Sequence, residues 1–125
     1  MIRKLTVVAA ISSLLAFLLP TGALAGDAAA GKPVYEANCA SCHGTSGKGD
    51  GPVGKALNPP PRDFTVGDFK FDSDKNGTAG EDADLVLVIK KGAMAYGGSP
   101  LMAPWPALSD AQVADIVAHI RSMKQ

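Results

Sequence analysis

The helical spacing of apolar residues among polar ones predicts two amphipathic helices. One spans 82–91, where acids lie at the start and two lysines lie at the end, an order that suits the helix dipole. A glycine follows and is expected to end the helix. The other starts at a capping box formed by Ser109 and Gln112 and extends to about Met123. Apolar side chains recur at helical spacing in both; they are Leu85, Val86, Val88 and Ile89 in the first and Val113, Ile116, Val117 and Ile120 in the second.

A third helix is predicted over 27–38, where Asp27 can cap the first turn. Pro33 lies within this segment and removes one backbone hydrogen bond, so the helix either starts late, near Lys32, or is kinked. The remaining segments hold most of the 14 glycines and 9 prolines and show no strand pattern. About three main helices joined by ordered loops therefore predict an all-α domain.

Residues 1–25 have the features of a secretory signal peptide. Two basic residues precede an uncharged run from Leu5 to Leu19, and an Ala-Leu-Ala cleavage pattern ends at Ala25. A membrane anchor is the alternative, but the run is shorter than the ~20 apolar residues that spanning requires. We expect cleavage after Ala25, which leaves 26–125 as one exported domain without a membrane span.

The charge balance argues against nucleic-acid binding. The whole chain has 12 Lys+Arg and 12 Asp+Glu, and removal of residues 1–25 takes away two of the basic residues and none of the acids. Binding to phosphates needs a clustered positive excess, which this composition lacks. A domain of this size buries only ~60–70% of its unfolded surface, so a bound cofactor would add useful apolar mass.

The most specific chemical signature is the C-x-x-C-H pattern of Cys39, Cys42 and His43. On a helical turn both sulfurs face one side, where each can add to one of the two vinyl groups of a haem. The imidazole of His43 lies on the same side and can reach the iron as its proximal ligand. This pattern is that of c-type haem attachment, and it predicts one covalent haem c with its iron.

Three other chemistries use closely spaced cysteines. A thioredoxin-like redox pair needs a surrounding βαβ pattern, which is missing, and a zinc site needs a second pair of ligands. A disulfide between the two cysteines would close a very short loop and stabilise little. Because both cysteines of this exported chain lie in the C-x-x-C-H pattern, haem attachment is the preferred interpretation.

Over residues 27–124 the chain resembles the class I monohaem c-type cytochromes of the bacterial periplasm. The resemblance rests on Cys39-Ala-Ser-Cys-His43 and on the segments Gly-Lys-Gly-Asp-Gly-Pro (47–52), Asn-Pro-Pro-Pro-Arg-Asp-Phe (58–64) and Pro-Leu-Met-Ala-Pro-Trp (100–105). It implies a cytochrome c fold, in which a small all-α chain wraps around one haem and the first and last helices pack across each other.

The sixth iron ligand is expected to be Met102. It lies between two prolines, in a loop stiff enough to hold a thioether against iron, and it matches the methionine that the family places ahead of the last helix. Here Met-Ala-Pro stands where the family more often has Met-Pro. The other candidates are Met94 just after the second helix, Met123 at the end of the last helix, and His119.

Three further residues are expected around the haem. The proximal histidine must donate a hydrogen bond from its other ring N–H group to a carbonyl. The resemblance assigns that carbonyl to Pro52, and the alternative is that Pro52 is simply a turn residue. Trp105 and Arg62 can each hydrogen-bond a haem propionate, although either is equally compatible with a packing or surface role.

Histidine and methionine ligation leaves no open position on the iron, so the expected function is electron transfer rather than catalysis. We expect a soluble, periplasmic, monomeric carrier whose partners are redox donors and acceptors, such as dehydrogenase, oxidase or reductase complexes. The alternative is a haem c subunit of a larger redox enzyme complex, or an open-site haem enzyme or ligand sensor.

One acidic segment resembles the start of an EF-hand calcium loop, with Asp72, Asp74, Asn76 and Gly77 in register. The twelfth position should be a bidentate glutamate but is Ala83. We therefore expect a polar turn whose acids cap the following helix, with a weak calcium site as the alternative.

Overall fold

The computed structural model describes residues 25–125. Apart from Ala25, the predicted signal peptide lies outside the described residues. The described part confirms the all-α prediction, since it contains helices and no strand; the elements are α1 (Ala28–Asn38), α2 (Ala40–His43), α3 (Asp82–Lys91), α4 (Asp110–Ser122) and two short 3-10 helices (Gly54–Ala56 and Ala93–Tyr96). Within 25–125, none of the helices is both long and apolar enough to cross a membrane.

Helix α1 begins before its proline. The carboxylate of Asp27 accepts hydrogen bonds from the backbone N–H groups of Ala29 (2.9 Å) and Ala30 (3.3 Å), which caps the first turn. Pro33 lies inside the helix rather than at its start. The late start near Lys32 is therefore wrong, because the aspartate cap anchors the helix one turn earlier.

Helices α1 and α4 pack across each other, as the resemblance implied. Gly31 is buried at the crossing, where a Cβ atom would overlap the backbone carbonyl of Asp115. Only glycine allows the two backbones to approach so closely. The crossing lies beside the deepest part of the core, where Tyr35, Val113 and Ile116 are fully buried.

Helix α3 packs against α4 and is tied to it by side chains at both ends. Lys90 forms an ion pair with Asp110. At the other end, Arg121 donates to Asp82 (2.8 Å) and to the carbonyl of Gly80 (2.5 Å). These contacts hold the loop before α3 against the last helix.

The acidic segment before α3 forms a polar turn, as expected. The carboxylate of Asp72 accepts from the backbone N–H groups of Asn76 (3.0 Å) and Gly77 (2.9 Å). Asp84 completes a capping box with Glu81 at the start of α3. The polar turn is thus confirmed, but Asp72 and Asp74 bond within the turn rather than to α3, and calcium binding stays an untested alternative.

Candidate functional site

A cavity of about 660 Å³ opens between the C-x-x-C-H turn, the proline-rich segment 59–61, α3 and the loop that follows it. This volume is in the range of about 300–1,000 Å³ that is typical of ligand and cofactor sites. Much of its wall is apolar, including Phe69, Phe71, Leu85, Val88, Ile89 and Ile120. The cavity therefore suits a large, flat, mostly apolar group.

The C-x-x-C-H residues form a helical turn at one side of this cavity. The turn is α2, and it ends at Gly44, whose φ of 82° lies in the region that favours glycine. Cys42 and His43 line the cavity, while Cys39 is half-buried against the apolar core. Burial, together with the neighbouring Cys42, raises the pKa of the Cys39 thiol to about 11. This sulfur is therefore protonated at neutral pH in the absence of a bond.

The ring of His43 is held by a carbonyl and by an aromatic side chain. Its Nδ1 lies 3.3 Å from the backbone oxygen of Arg62, and its ring stacks on that of Phe64 with centroids 4.4 Å apart. Because a carbonyl only accepts, Nδ1 carries the proton and the lone pair remains on Nε2. Burial lowers the pKa of His43 and thereby favours the neutral imidazole, the form in which a histidine can bind a metal; the hydrogen bond to the Arg62 carbonyl opposes this shift.

The expectation that Pro52 supplies this carbonyl is wrong. The turn containing Pro52 is bonded to the backbone of the cysteine motif instead, since Gly51 donates to the Cys42 carbonyl (3.1 Å) and Val53 donates to that of Ser41 (2.9 Å). Pro52 itself is exposed. The carbonyl that faces the ring comes from the later segment that also carries Arg62.

Met102 lines the same cavity as His43. Its backbone is pinned on both sides, because its carbonyl accepts from Ala93 (3.2 Å) and its N–H donates to Ser99 (3.2 Å). Three residues further on, the backbone N–H of Trp105 donates to the Ile89 carbonyl (2.9 Å) at the end of α3. The loop therefore presents the thioether from a fixed backbone.

The other candidate ligands lie away from the cavity. Met94 is 68% exposed and does not line it. Met123 packs half-buried against the core beside Gly47. The ring of His119 packs edge-to-face against Tyr35 on α1, with centroids 5.0 Å apart. Of the four candidates, Met102 alone lines this cavity.

The two residues expected at the propionates differ in position. Arg62 is exposed and lines the cavity, at which Lys48 and Lys70 add further positive charge. Trp105 does not line the cavity but packs half-buried against the apolar core, as in its alternative role. Sequence reasoning missed Asp84, which is buried and contributes to the cavity wall, because helical periodicity places an N3 acid at the surface rather than inside.

These features match a known family. The Cytochrome c family model matches residues 28–124, which is nearly the whole described part of the chain. The chain belongs to the cytochrome c family. Its cofactor is therefore covalently attached haem c with its iron, and its chemistry is haem-based electron transfer.

Curated relatives of this cytochrome c support the assignment. It is 37% identical to cytochrome c-554(547) of Halothiobacillus neapolitanus, over 80% of this chain and 100% of the relative. It is 38% identical to cytochrome c6 of Rippkaea orientalis, over 81% of each chain. It is 30% identical to the cbb3-type cytochrome c oxidase subunit CcoP of Azospirillum brasilense, over 86% of this chain but only 33% of CcoP.

A solved structure shares the fold. The chain superposes on one chain of the Kuenenia stuttgartiensis reducing HAO-like protein complex Kustc0457/Kustc0458 with a TM-score of 0.66 and 34% sequence identity. The match covers 81% of this cytochrome c and 44% of that chain. Similar domains thus occur both as separate short chains and as parts of longer ones.

Proposed function

We propose that this cytochrome c is a soluble, monomeric electron carrier of the periplasm, with its haem iron held by His43 and Met102. The observation that supports this ligation is that both side chains line one apolar cavity. Thioether and imidazole ligands close the iron, and a methionine ligand raises the reduction potential. The bound haem supplies a one-electron couple, and the protein binds no substrate at the metal.

The remaining residues attach the haem, orient it and exclude water. Cys39 and Cys42 form the two thioether bonds, and the Arg62 carbonyl fixes the tautomer and ring plane of His43. The guanidinium of Arg62, which is exposed and lines the cavity, would pair with a haem propionate. The apolar wall disfavours the oxidised centre, because that state carries more charge.

A second candidate function is that of a haem c subunit in a larger redox complex. Two observations favour it, namely that CcoP is named as an oxidase subunit and that the structural relative belongs to a protein complex. In that role His43 and Met102 would act in the same way, but the electron donor and acceptor would be fixed neighbours. We propose redox protein partners in either case, without enzymatic activity of this chain.

Exposure of the reduced holoprotein to carbon monoxide tests the closed iron. We expect no carbon monoxide difference spectrum, and a weak band near the red end of the oxidised spectrum that reports methionine sulfur on ferric iron. Rapid formation of a carbon monoxide adduct would instead support the open-site enzyme or sensor. Size-exclusion chromatography of the periplasmic fraction separates the remaining candidates, since a carrier elutes as a monomer and a subunit elutes with its complex.

A further inference from the structure

The wall of the haem cavity contains one buried charge. Asp84 is 0% exposed, and among residues 25–125 it is the only charged side chain in the buried class. It lines the cavity together with His43 and Met102, next to Leu85 and Val88 of the same helix. A charge that is shielded from water is screened by salt much less than an exposed one.

Backbone hydrogen bonds, rather than a cation, hold this carboxylate. Its oxygens accept from the N–H groups of Ser73 (2.5 Å), Asp74 (3.2 Å) and Glu81 (2.9 Å). None of the ion pairs within the described residues includes Asp84. Burial raises the pKa of Asp84, but these hydrogen bonds outweigh it and hold the pKa below the ordinary value of an aspartate. At neutral pH the group is therefore an anion.

Capping of α3 does not account for this placement. An acid at the third position of a helix caps equally well from the surface, where its charge is fully solvated. Here the carboxylate is shielded from water, beside the carboxylates of Asp72 and Asp74, whose oxygens lie within 4.8 Å of it, and the residue also contributes to the wall of the largely apolar cavity. Its negative charge is not neutralised by an ion pair, so its field acts on any charge that changes within the cavity.

We propose that Asp84 sets the reduction potential of the haem, as a fixed anion in the cavity wall that stabilises the oxidised state. Oxidation adds one positive charge to the centre, so a nearby buried anion favours it and lowers the midpoint potential. The inference rests on haem in this cavity and does not depend on which residue is the sixth ligand.

Replacement of the carboxylate by its neutral isostere tests the proposal. In Asp84→Asn the equilibrium between reduced and oxidised haem shifts at least threefold toward the reduced form, which is a rise of about 28 mV when a tenfold change is 59 mV. Asp84→Glu keeps the charge and retains a potential closer to that of the wild type. Absorption spectra in both redox states check that the axial ligands are unchanged.

Asp74→Asn is the matched control, since it removes the same charge from an exposed carboxylate that lies within 4.8 Å of that of Asp84, in the loop before α3. Its shift is smaller and fades as salt rises from about 0.01 M to about 1 M, because exposed charges are screened. The Asp84→Asn shift persists at high salt. An unchanged or lower potential in Asp84→Asn with intact ligand spectra, or a shift that salt abolishes, would overturn the proposal.

If Asp84→Asn does not accumulate as folded holoprotein, the wild type allows a second measurement. The carboxyl ¹³C resonance of Asp84 can be titrated with acid in the oxidised and in the reduced protein. If the charge of Asp84 and the charge of the haem iron are coupled, thermodynamic linkage requires that the pKa of Asp84 is lower in the oxidised protein than in the reduced protein. The neighbouring charged groups are Asp72 and Asp74 in the loop, Glu81 at the helix start and Arg121 from α4. Equal pKa values of Asp84 in the two redox states would refute the inference.

The outcomes remain separable from those for the proposed function. If Met102 is not the ligand, wild-type protein binds carbon monoxide, yet the difference between Asp84→Asn and wild type is still measured on the same iron. If the closed site is correct and Asp84 is purely structural, wild type resists carbon monoxide and the Asp84→Asn potential does not rise.

Discussion

The hydroxyl of Tyr35 donates a hydrogen bond of 2.8 Å to the carbonyl of Gly44, the residue that follows His43 in the chain. Tyr35 is fully buried, and burial is the main reason that its pKa lies far above the ordinary value of a tyrosine. The phenol is thus a permanent donor. Through it, α1 holds the end of the turn that carries Cys42 and His43.

Tyr35→Phe is expected to lower the free energy of unfolding by about 1–3 kcal/mol, because the buried Gly44 carbonyl loses its partner from α1. Urea unfolding of the oxidised holoprotein measures the loss. Tyr96→Phe is the control, because Tyr96 is only half-buried, and it should change stability by much less. Equal stability of Tyr35→Phe and wild type would contradict the expectation.

Gly31→Ala is expected to destabilise the protein by about 1–3 kcal/mol, although alanine is the better helix former by about 0.8–1.0 kcal/mol. The reason is that the added Cβ overlaps the carbonyl of Asp115 at the crossing of α1 and α4. Ala30→Val adds bulk at an exposed position of the same helix and should cost less than about 0.7 kcal/mol. Chemical denaturation compares them, and a Gly31→Ala variant more stable than wild type would show that the helices can move apart.

Met102→Ala is expected to open the iron, while Met94→Ala leaves it closed. Loss of the thioether should lower the midpoint potential by more than about 59 mV, which is a tenfold change in the redox equilibrium, and should let the ferrous form bind carbon monoxide. Met94 is 68% exposed and outside the cavity, so it is a matched control. Redox titration measures the potential, and carbon monoxide difference spectra measure binding to the iron. If Met94→Ala lowers the potential and binds carbon monoxide while Met102→Ala does neither, the ligand is misassigned.

Cys39→Ala combined with Cys42→Ala is expected to abolish covalent haem and to leave little folded protein, since a domain of this size depends on the apolar mass of its cofactor. Acid–acetone extraction tests the attachment, because covalently bound haem stays with the protein. Ser41→Ala, at an exposed position between the two cysteines, should retain its haem. Haem that leaves the wild-type protein during extraction would contradict the assignment.

Acid is expected to destabilise the wild type more than Asp84→Asn. The pKa of Asp84 is depressed in the folded protein, so its ionised form stabilises the fold. This stabilisation is complete above the pKa of an aspartate in the unfolded chain, ~3.9, and is lost as the pH falls through the pKa of Asp84 in the folded protein. Asparagine has no such dependence. The slope of the unfolding free energy against pH below about 4 measures the difference, and parallel slopes would show that Asp84 titrates alike in both states.

Features that depend on local chemistry were predictable from the sequence. The spacing of Cys39, Cys42 and His43, the Ser109 capping box and the apolar periodicity of α3 and α4 each involve residues within a few positions of one another. Their geometry follows from the helical repeat and from short-range hydrogen bonds. Local chemistry did not decide where α1 begins, because Pro33 disfavours the interior of a helix whereas Asp27 can cap a helix that begins before it.

Features that depend on distant parts of the chain were decided by the tertiary structure alone. Arg62, rather than Pro52, presents its carbonyl to His43 because the turn around Pro52 is already bonded to the cysteine motif. Asp84 is buried because the loop before α3 folds back and supplies backbone donors that replace water. The sequence by itself determined the helices, the haem-attachment pattern and the set of possible iron ligands; packing decided which carbonyl, which methionine and which carboxylate surround the cavity, since each depends on where backbone donors and acceptors far apart in the chain find their partners.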